Sequence, residues 1–254
     1  MKLSSGLVAG MVFLSPAMAL ARDSVAVLWS IQALDNPDLS ERTVLDGEYV
    51  LRQKLLPMGL ATLDGPAALT TGNRLHAKAG AQLVKASSDA GEAYCALETH
   101  RLDKAGAQIA NSRGVTLCFL DANKDGRFES LFEVPGGGVI VQGAVPDKRA
   151  AIDIGYATRP VGEMARSYWV GIRYEQYFNI YGNRMFFIDF GPEGQMTSLT
   201  DFAKFKSAGP YPQTFALLDS QFSVLEAQEK GIRLRVDKAI PAQPFGVFTY
   251  TSYR

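Results

Sequence analysis

The densest group of potential metal ligands in the chain lies in residues 121–129, which read Asp-Ala-Asn-Lys-Asp-Gly-Arg-Phe-Glu. Oxygen-bearing side chains occupy positions 1, 3, 5 and 9 of this segment, and glycine occupies position 6, where a loop around an ion must turn sharply. Carboxylate, amide and backbone carbonyl oxygens are the ligands that hard cations such as Ca²⁺ prefer. The spacing therefore predicts a structural calcium site. Its ligands would be Asp121, Asn123, Asp125, the backbone carbonyl of Arg127, and Glu129.

The loop departs from an EF-hand at two points. Position 12 is Phe132 instead of the bidentate glutamate, and the flanking residues have the pattern of strands instead of helices. The segment resembles the D-x-[DN]-x-D-G-x-x-[DE] loops that bind calcium between two strands in integrin-type FG-GAP blades and in many secreted bacterial proteins. This resemblance covers nine residues and implies a binding loop, with no implication for family or activity. The alternative is an ion-free hairpin turn, since Asn, Asp and Gly are the residues that tight turns use.

The two cysteines, Cys95 and Cys118, lie in apolar runs just upstream of the loop. Their separation is too long for a C-x-x-C redox motif, and the chain has no histidines at the spacing of a zinc site. In an exported protein such a pair is predicted to form one disulfide, because the compartment is oxidising. The alternative is a pair of buried free thiols.

The N-terminus has the three parts of a secretory signal peptide. Lys2 precedes an apolar stretch at residues 7–14, and small residues follow at Ala17, Ala19 and Ala21. We expect residues 1–21 to be removed by cleavage after Ala21, or else after Ala19. The mature protein is then expected in a bacterial periplasm or secreted. No later run of 18 apolar residues exists, so no transmembrane anchor is predicted in the mature chain.

The charge balance argues against nucleic acid as a partner. The chain has 26 basic and 26 acidic residues, and removing residues 1–21 takes away only Lys2, which leaves 25 − 26 = −1. A binding surface for nucleic acid requires a basic excess. The apolar fraction of 47% is ample for a core.

Short apolar and β-branched runs, separated by Gly, Asn and Asp, predict an all-β protein. Residues 168–174 alternate apolar and other residues with period two, as a half-buried strand requires. The turn spacing favours an antiparallel β-sandwich or barrel-like sheet, with one short helix at residues 199–206. A division into two subdomains would give an N-terminal β region at 22–145, a linker rich in Gly and Pro at 146–166, and an aromatic-rich β region at 167–254.

The aromatic-rich region also offers a candidate binding surface. Trp169, Arg173 and Tyr177 fall on one face of the predicted strand, where aromatic rings can stack on sugars or pack against a protein. The alternative is that the aromatic residues are core.

No catalytic motif is present: the chain lacks H-E-x-x-H, G-x-S-x-G and a dinucleotide-binding fingerprint. Of the two histidines, His76 and His100, the second is expected at the surface beside Arg101. The residues favour a non-catalytic binding or structural component of the cell envelope, with an envelope protein or a glycan as partner. One alternative is a secreted hydrolase acting on glycan or peptide, since two carboxylates need no local motif. Another is a subunit of an outer-membrane or envelope assembly.

Overall fold

The computed structural model describes residues 24–111, 114–137, 139–176 and 183–246. In these residues the backbone forms 22 strands and one short 3-10 turn at Val161–Glu163. Numbered in chain order, the strands are β1 (Ser24–Val27), β2 (Trp29–Ile31), β3 (Glu41–Leu45), β4 (Tyr49–Pro57), β5 (Leu60–Leu63), β6 (Ala67–Leu69), β7 (Leu75–Ala77), β8 (Gln82–Ser88), β9 (Glu92–Ala96), β10 (His100–Leu102), β11 (Gln108–Asn111), β12 (Val115–Asp121), β13 (Arg127–Gly137), β14 (Ile140–Ala144), β15 (Ala150–Arg159), β16 (Tyr168–Gln176), β17 (Asn183–Pro192), β18 (Thr197–Lys206), β19 (Gln213–Leu217), β20 (Ser220–Gln228), β21 (Gly231–Lys238) and β22 (Gln243–Phe245). The all-β prediction is confirmed. The predicted signal peptide lies outside the described residues.

Six of these strands close into an antiparallel barrel. Their order around the ring is β5, β8, β9, β12, β13 and β15, and the ring closes because β15 pairs with both β13 and β5. Successive side chains of a strand point to opposite faces. Along β12, Leu117 and Phe119 accordingly join one apolar cluster, while Cys118 and Leu120 join another. The first of these, here called the barrel cluster, consists of Ala61, Leu63, Ala67, Leu75, Ala77, Leu83, Tyr94, Ala96, Leu117, Phe119, Phe128 and Leu131.

A small sheet packs on the barrel cluster. Its order is β11-β10-β7-β6. Leu75 and Ala77 of β7 and Ala67 of β6 are buried in the barrel cluster. This sheet therefore presents one face to the barrel, and strand alternation turns His76 to its other face.

The remaining strands form a sandwich. A six-stranded sheet of order β18-β17-β16-β4-β2-β22 packs against a four-stranded sheet of order β19-β20-β21-β3. Between them Phe186 of β17 contacts Phe222 of β20, with ring centroids 4.8 Å apart. The predicted period-two pattern of β16 is confirmed, because Tyr168, Val170 and Tyr174 are all buried.

Trp29 joins the sandwich to the barrel strands. Its ring packs against Tyr168 at a tilt of 30°, with ring centroids 4.8 Å apart, and its indole nitrogen donates a hydrogen bond of 3.2 Å to the Val139 carbonyl. One continuous apolar cluster includes Val25 of β1 and Val170 of β16. Within the described residues, no helix has the length and apolar character needed to cross a membrane.

The helix predicted at residues 199–206 is wrong, because these residues lie in β18, which pairs with β17. An apolar spacing of four residues places side chains on one face of a strand as well as of a helix, so Leu199 and Ala203 fit either structure. A helix of eight residues is marginal by itself. The open edge of β17 supplies the backbone hydrogen bonds that decide the outcome.

The segment 146–166, predicted as a linker, contains β15, a wall strand of the barrel. Its Gly155 lies next to the exposed Asp64 side chain, which a Cβ at this position would displace. Of the Gly and Pro residues in this segment, Gly155 lies within the paired strand, whereas Pro146, Pro160 and Gly162 lie outside it. The division into two subdomains stays a prediction.

Candidate metal centre

The acidic loop joins two neighbouring strands of the barrel wall. β12 ends at Asp121 and β13 begins at Arg127. Lys124 and Gly126 adopt left-handed backbone conformations, with φ angles of 62° and 87°. Such conformations favour glycine, which explains the glycine at position 6 of the loop.

Asp121 organises this loop from a fully buried position. Its Oδ1 accepts hydrogen bonds from the backbone N–H groups of Lys124 at 2.6 Å and Asp125 at 3.2 Å. Its Oδ2 accepts from the N–H of Gly126 at 3.0 Å and from the Tyr156 hydroxyl at 2.9 Å. Three consecutive N–H groups thus converge on one carboxylate, which holds the loop in a single conformation.

The other acidic side chains are held around this centre. Asp125 Oδ1 accepts a 2.9 Å bond from the Arg127 N–H, and the Asn123 amide donates to Asp125 Oδ2 at 3.0 Å. Glu129 Oε2 accepts a bond of 2.8 Å from the Ala122 N–H, whereas its Oε1 is buried and has no hydrogen-bond partner in the described structure.

Carboxylate oxygens of Asp121, Asp125 and Glu129 lie within 4.8 Å of one another. The structure therefore brings three of the five predicted ligands into one group that could hold a metal ion. Asn123 is joined to the group through Asp125, and the Arg127 side chain points away to Asp153, with Nε and Oδ1 2.6 Å apart. Asn123 and the Arg127 carbonyl remain predicted ligands.

Two residues that sequence reasoning missed support the group from neighbouring strands. Glu92 of β9 stands directly opposite Asp121 and binds Lys85, with Oε1 and Nζ 2.7 Å apart. The hydrogen bond from Lys85 lowers the pKa of Glu92, so the Glu92 carboxylate stays charged beside the loop. Burial and the hydrogen bond to Asp121 raise the pKa of Tyr156, which keeps its hydroxyl a donor. No local spacing in the sequence signals either residue, because both come from other strands.

The predicted disulfide is confirmed. Cys95 and Cys118 are bonded, are direct partners of β9 and β12, and are both fully buried. The bond lies in the same strand pair that carries Glu92 and Asp121. It therefore staples the barrel wall beneath the acidic loop.

The predicted binding surface is only partly described. Tyr177 lies outside the described residues, while Trp169 and Arg173 lie on β16. Arg173 borders an open cleft of about 510 Å³ on the outer side of the six-stranded sheet. The residues lining this cleft are Tyr49, Arg52, Arg173, Asp189, Glu193, Gly194, Met196 and Ser198.

Charge pairing dominates this cleft. Asp189 accepts hydrogen bonds from Arg173 Nε at 2.7 Å, from the Tyr49 hydroxyl at 3.0 Å and from the Ser198 hydroxyl at 2.6 Å. A second Arg173 nitrogen binds Glu175 at 2.7 Å. Burial, followed by the effect of Asp189, raises the pKa of Tyr49 to about 12, so this hydroxyl is a proton donor at neutral pH.

Trp169 stands beside the cleft with cations against its ring. The Arg52 guanidinium lies 4.3 Å from the ring centroid, and the Lys54 ammonium lies 5.9 Å from it. Such contacts are favourable cation–π interactions. Cations of the protein itself therefore already lie next to the Trp169 ring. A ligand that binds there would also meet the positive charges of Arg52 and Lys54.

The prediction that His100 lies at the surface is wrong. His100 is only 8% exposed, because it lies inside the four-stranded sheet between β7 and β11.

Comparisons with protein-family models, with curated protein sequences and with solved structures find no match.

Proposed function

We propose that the protein is exported to a bacterial periplasm or secreted, is stabilised by Ca²⁺ bound in its acidic loop, and serves as a non-catalytic binding or structural component of the cell envelope. The observation that carries the proposal is the Asp121, Asp125 and Glu129 group, in which a buried Glu129 oxygen has no hydrogen-bond partner among the described residues. The disulfide supports export, since such bonds persist in oxidising compartments.

Calcium is favoured by the chemistry of these donors. All of the candidate ligands are oxygens, and three are carboxylates, the set that a hard divalent cation prefers. Ca²⁺ accepts flexible geometry at six to eight oxygens, whereas Mg²⁺ demands a near-ideal octahedron and retains water. Three carboxylates in one turn repel each other, and a bound cation would relieve that repulsion. A structural role follows, because the loop joins two wall strands of the barrel.

A binding role is favoured over hydrolysis by the state of the cleft carboxylates. Asp189 is held by three donors, and Glu193 Oε1 accepts a bond from Arg52 at 3.2 Å. Both carboxylates are thus already engaged by donors of the protein itself, whereas the acid of a hydrolase must be free to reach a glycosidic oxygen. We assign the surface formed by Arg52, Trp169 and Arg173 to recognition of a glycan or an envelope protein.

Calcium titration of the mature protein tests the proposal. Chelated protein should melt at a lower temperature than calcium-loaded protein, and free Ca²⁺ at 100 times the dissociation constant should add about 2.7 kcal/mol to the free energy of unfolding. Asp125→Ala should abolish this response, as should Asp121→Ala at the buried position. Asp147→Ala, at an exposed position outside the loop, is the matched control and should respond as wild type does.

The calcium proposal is refuted if chelated and loaded wild type melt together and calorimetry shows no heat of binding at millimolar calcium. The export proposal has its own measurement. N-terminal sequencing of exported material should return Arg22, or Leu20 for the alternative cleavage. A sequence beginning at Met1 would contradict it.

A further inference from the structure

The two histidines of the chain face each other across a strand pair. His76 of β7 and His100 of β10 are direct partners in the antiparallel register. Opposite residues of such a pair project from the same face of the sheet, with Cβ atoms about 4.5–5.5 Å apart. Two imidazole rings therefore lie side by side on one face of the small sheet that packs on the barrel cluster.

The Nδ1 atoms of the two histidines differ in their hydrogen bonding. His76 Nδ1 is buried and has no hydrogen-bond partner among the described residues. His100 Nδ1 lies 2.9 Å from the Gln108 side-chain amide on the adjacent strand β11, which fixes the ring's orientation. A terminal amide offers either a donor or an acceptor after rotation, so Gln108 can hold either tautomer of His100. The partnerless nitrogen of His76 is the feature that lacks a structural explanation.

Both rings suit metal coordination. Burial, together with the neighbouring His100 and Lys78, lowers the pKa of His76. A neutral imidazole is the form that binds a metal ion. Gln108 acts as the outer partner that orients a coordinating histidine. Imidazole nitrogens suit Zn²⁺, Cu²⁺ and Ni²⁺, in contrast to the oxygens of the acidic loop.

We propose that His76 and His100 form a two-histidine site for a divalent transition-metal ion of the Zn²⁺ and Cu²⁺ class, bridging β7 and β10. Among the described residues, the acidic loop provides the only cluster of three or more His, Cys, Asp or Glu ligands. The two imidazoles are therefore the protein ligands of the proposed site. The site is independent of the acidic loop in position and in ligand chemistry.

Zinc titration of the mature protein in millimolar Ca²⁺ tests this site, because calcium occupies the loop if that proposal holds. Calorimetry should show one Zn²⁺ bound per chain. His76→Ala and His100→Gln should each weaken binding at least about tenfold, as loss of even an outer-shell partner commonly does. Asp147→Ala should bind zinc as wild type does.

Nuclear magnetic resonance supplies a second readout that needs no variant. The chain has only two histidines, so two sets of imidazole signals are expected, and both should shift as zinc is added. If His100→Gln fails to fold, His76→Ala at the half-buried position still decides the matter. The proposal is overturned if zinc leaves both sets of signals unmoved, or if His76→Ala binds zinc as tightly as wild type. Zinc that binds the loop instead would persist in His76→Ala, which would also overturn it.

Discussion

Arg184 is a buried charge, and replacing it measures how the two sheets of the sandwich are held together. Its guanidinium lies on β17 and is 6% exposed. It donates hydrogen bonds to the Tyr174 hydroxyl at 2.7 Å, the Ser207 hydroxyl at 2.8 Å, and the backbone carbonyls of Gln228 and Gly231 on the opposing sheet. All of these acceptors are neutral, so the guanidinium links the sheets through its donor geometry.

The substitution Arg184→Met keeps the length of the side chain and removes these bonds. Relief from burying a charge offsets part of the loss. The carbonyls of Gln228 and Gly231 are left without their donor, at about 1–3 kcal/mol each. We therefore expect a loss of about 3 kcal/mol. Arg184→Lys should cost at least as much, because an ammonium stays charged and cannot reach all of the acceptors together.

Arg233→Met is the matched control. Arg233 lies on β21 and forms ion pairs with Glu41 at 3.1 Å and Glu226 at 3.4 Å, but its side chain is 44% exposed. Exposed ion pairs of this kind contribute at most about 1 kcal/mol.

Urea unfolding of the oxidised protein, followed by tryptophan fluorescence, measures the difference. With a slope near 2 kcal/mol/M, Arg184→Met should lower the midpoint by about 1.5 M without changing the slope. Equal midpoints for Arg184→Met and Arg233→Met would refute the reasoning that the buried guanidinium holds the sheets.

Two further predictions concern the Cys95–Cys118 disulfide and the Asp237 carboxylate. Replacing Cys95 and Cys118 together by alanine should lower the free energy of unfolding by about 3.5 kcal/mol on the chain-entropy model, and native protein with titratable thiols would contradict the disulfide. A hydrogen bond from the Ser223 hydroxyl, together with Arg235, lowers the pKa of Asp237 in the folded protein. Its contribution to the free energy of unfolding is therefore complete above the unfolded-state pKa, near 3.9. That contribution is lost as the pH falls through the lower pKa of the folded state. Asp237→Asn should therefore reduce stability at pH 7 and flatten the loss of stability below pH 4, and an unchanged acid profile would count against that linkage.

The local features of the fold were readable from the sequence, and the distant ones were not. The period-two pattern of β16 and the turn residues of the acidic loop are set by neighbouring residues. Barrel closure depends instead on β15 meeting β5, and Tyr156 pairs with Leu63, far away in the chain. The composition of residues 146–166 predicts a linker, because Gly and Pro mark the turns beside a strand as well as linkers between domains.

The candidate sites divide in the same way. The spacing of Asp121, Asp125 and Glu129 was visible because all three belong to one loop. The histidine pair was not, because His76 and His100 meet only through the register of β7 and β10. A histidine outside any motif gives no sign of its cross-strand partner, and register is fixed by the packing of a whole sheet.

Under the proposed function, the position of Tyr156 determines how much of the barrel a bound calcium ion would stabilise. Its hydroxyl binds Asp121, its backbone N–H donates to the Gly126 carbonyl at 3.2 Å, and its ring stacks on Phe128 at 4.2 Å. Tyr156 belongs to β15, the strand that closes the barrel. An ion that fixes the loop would therefore also fix the closing strand and the aromatic cluster behind it. Calcium should accordingly shift the cooperative unfolding of the barrel as a whole, instead of protecting only the exposed tip of one hairpin.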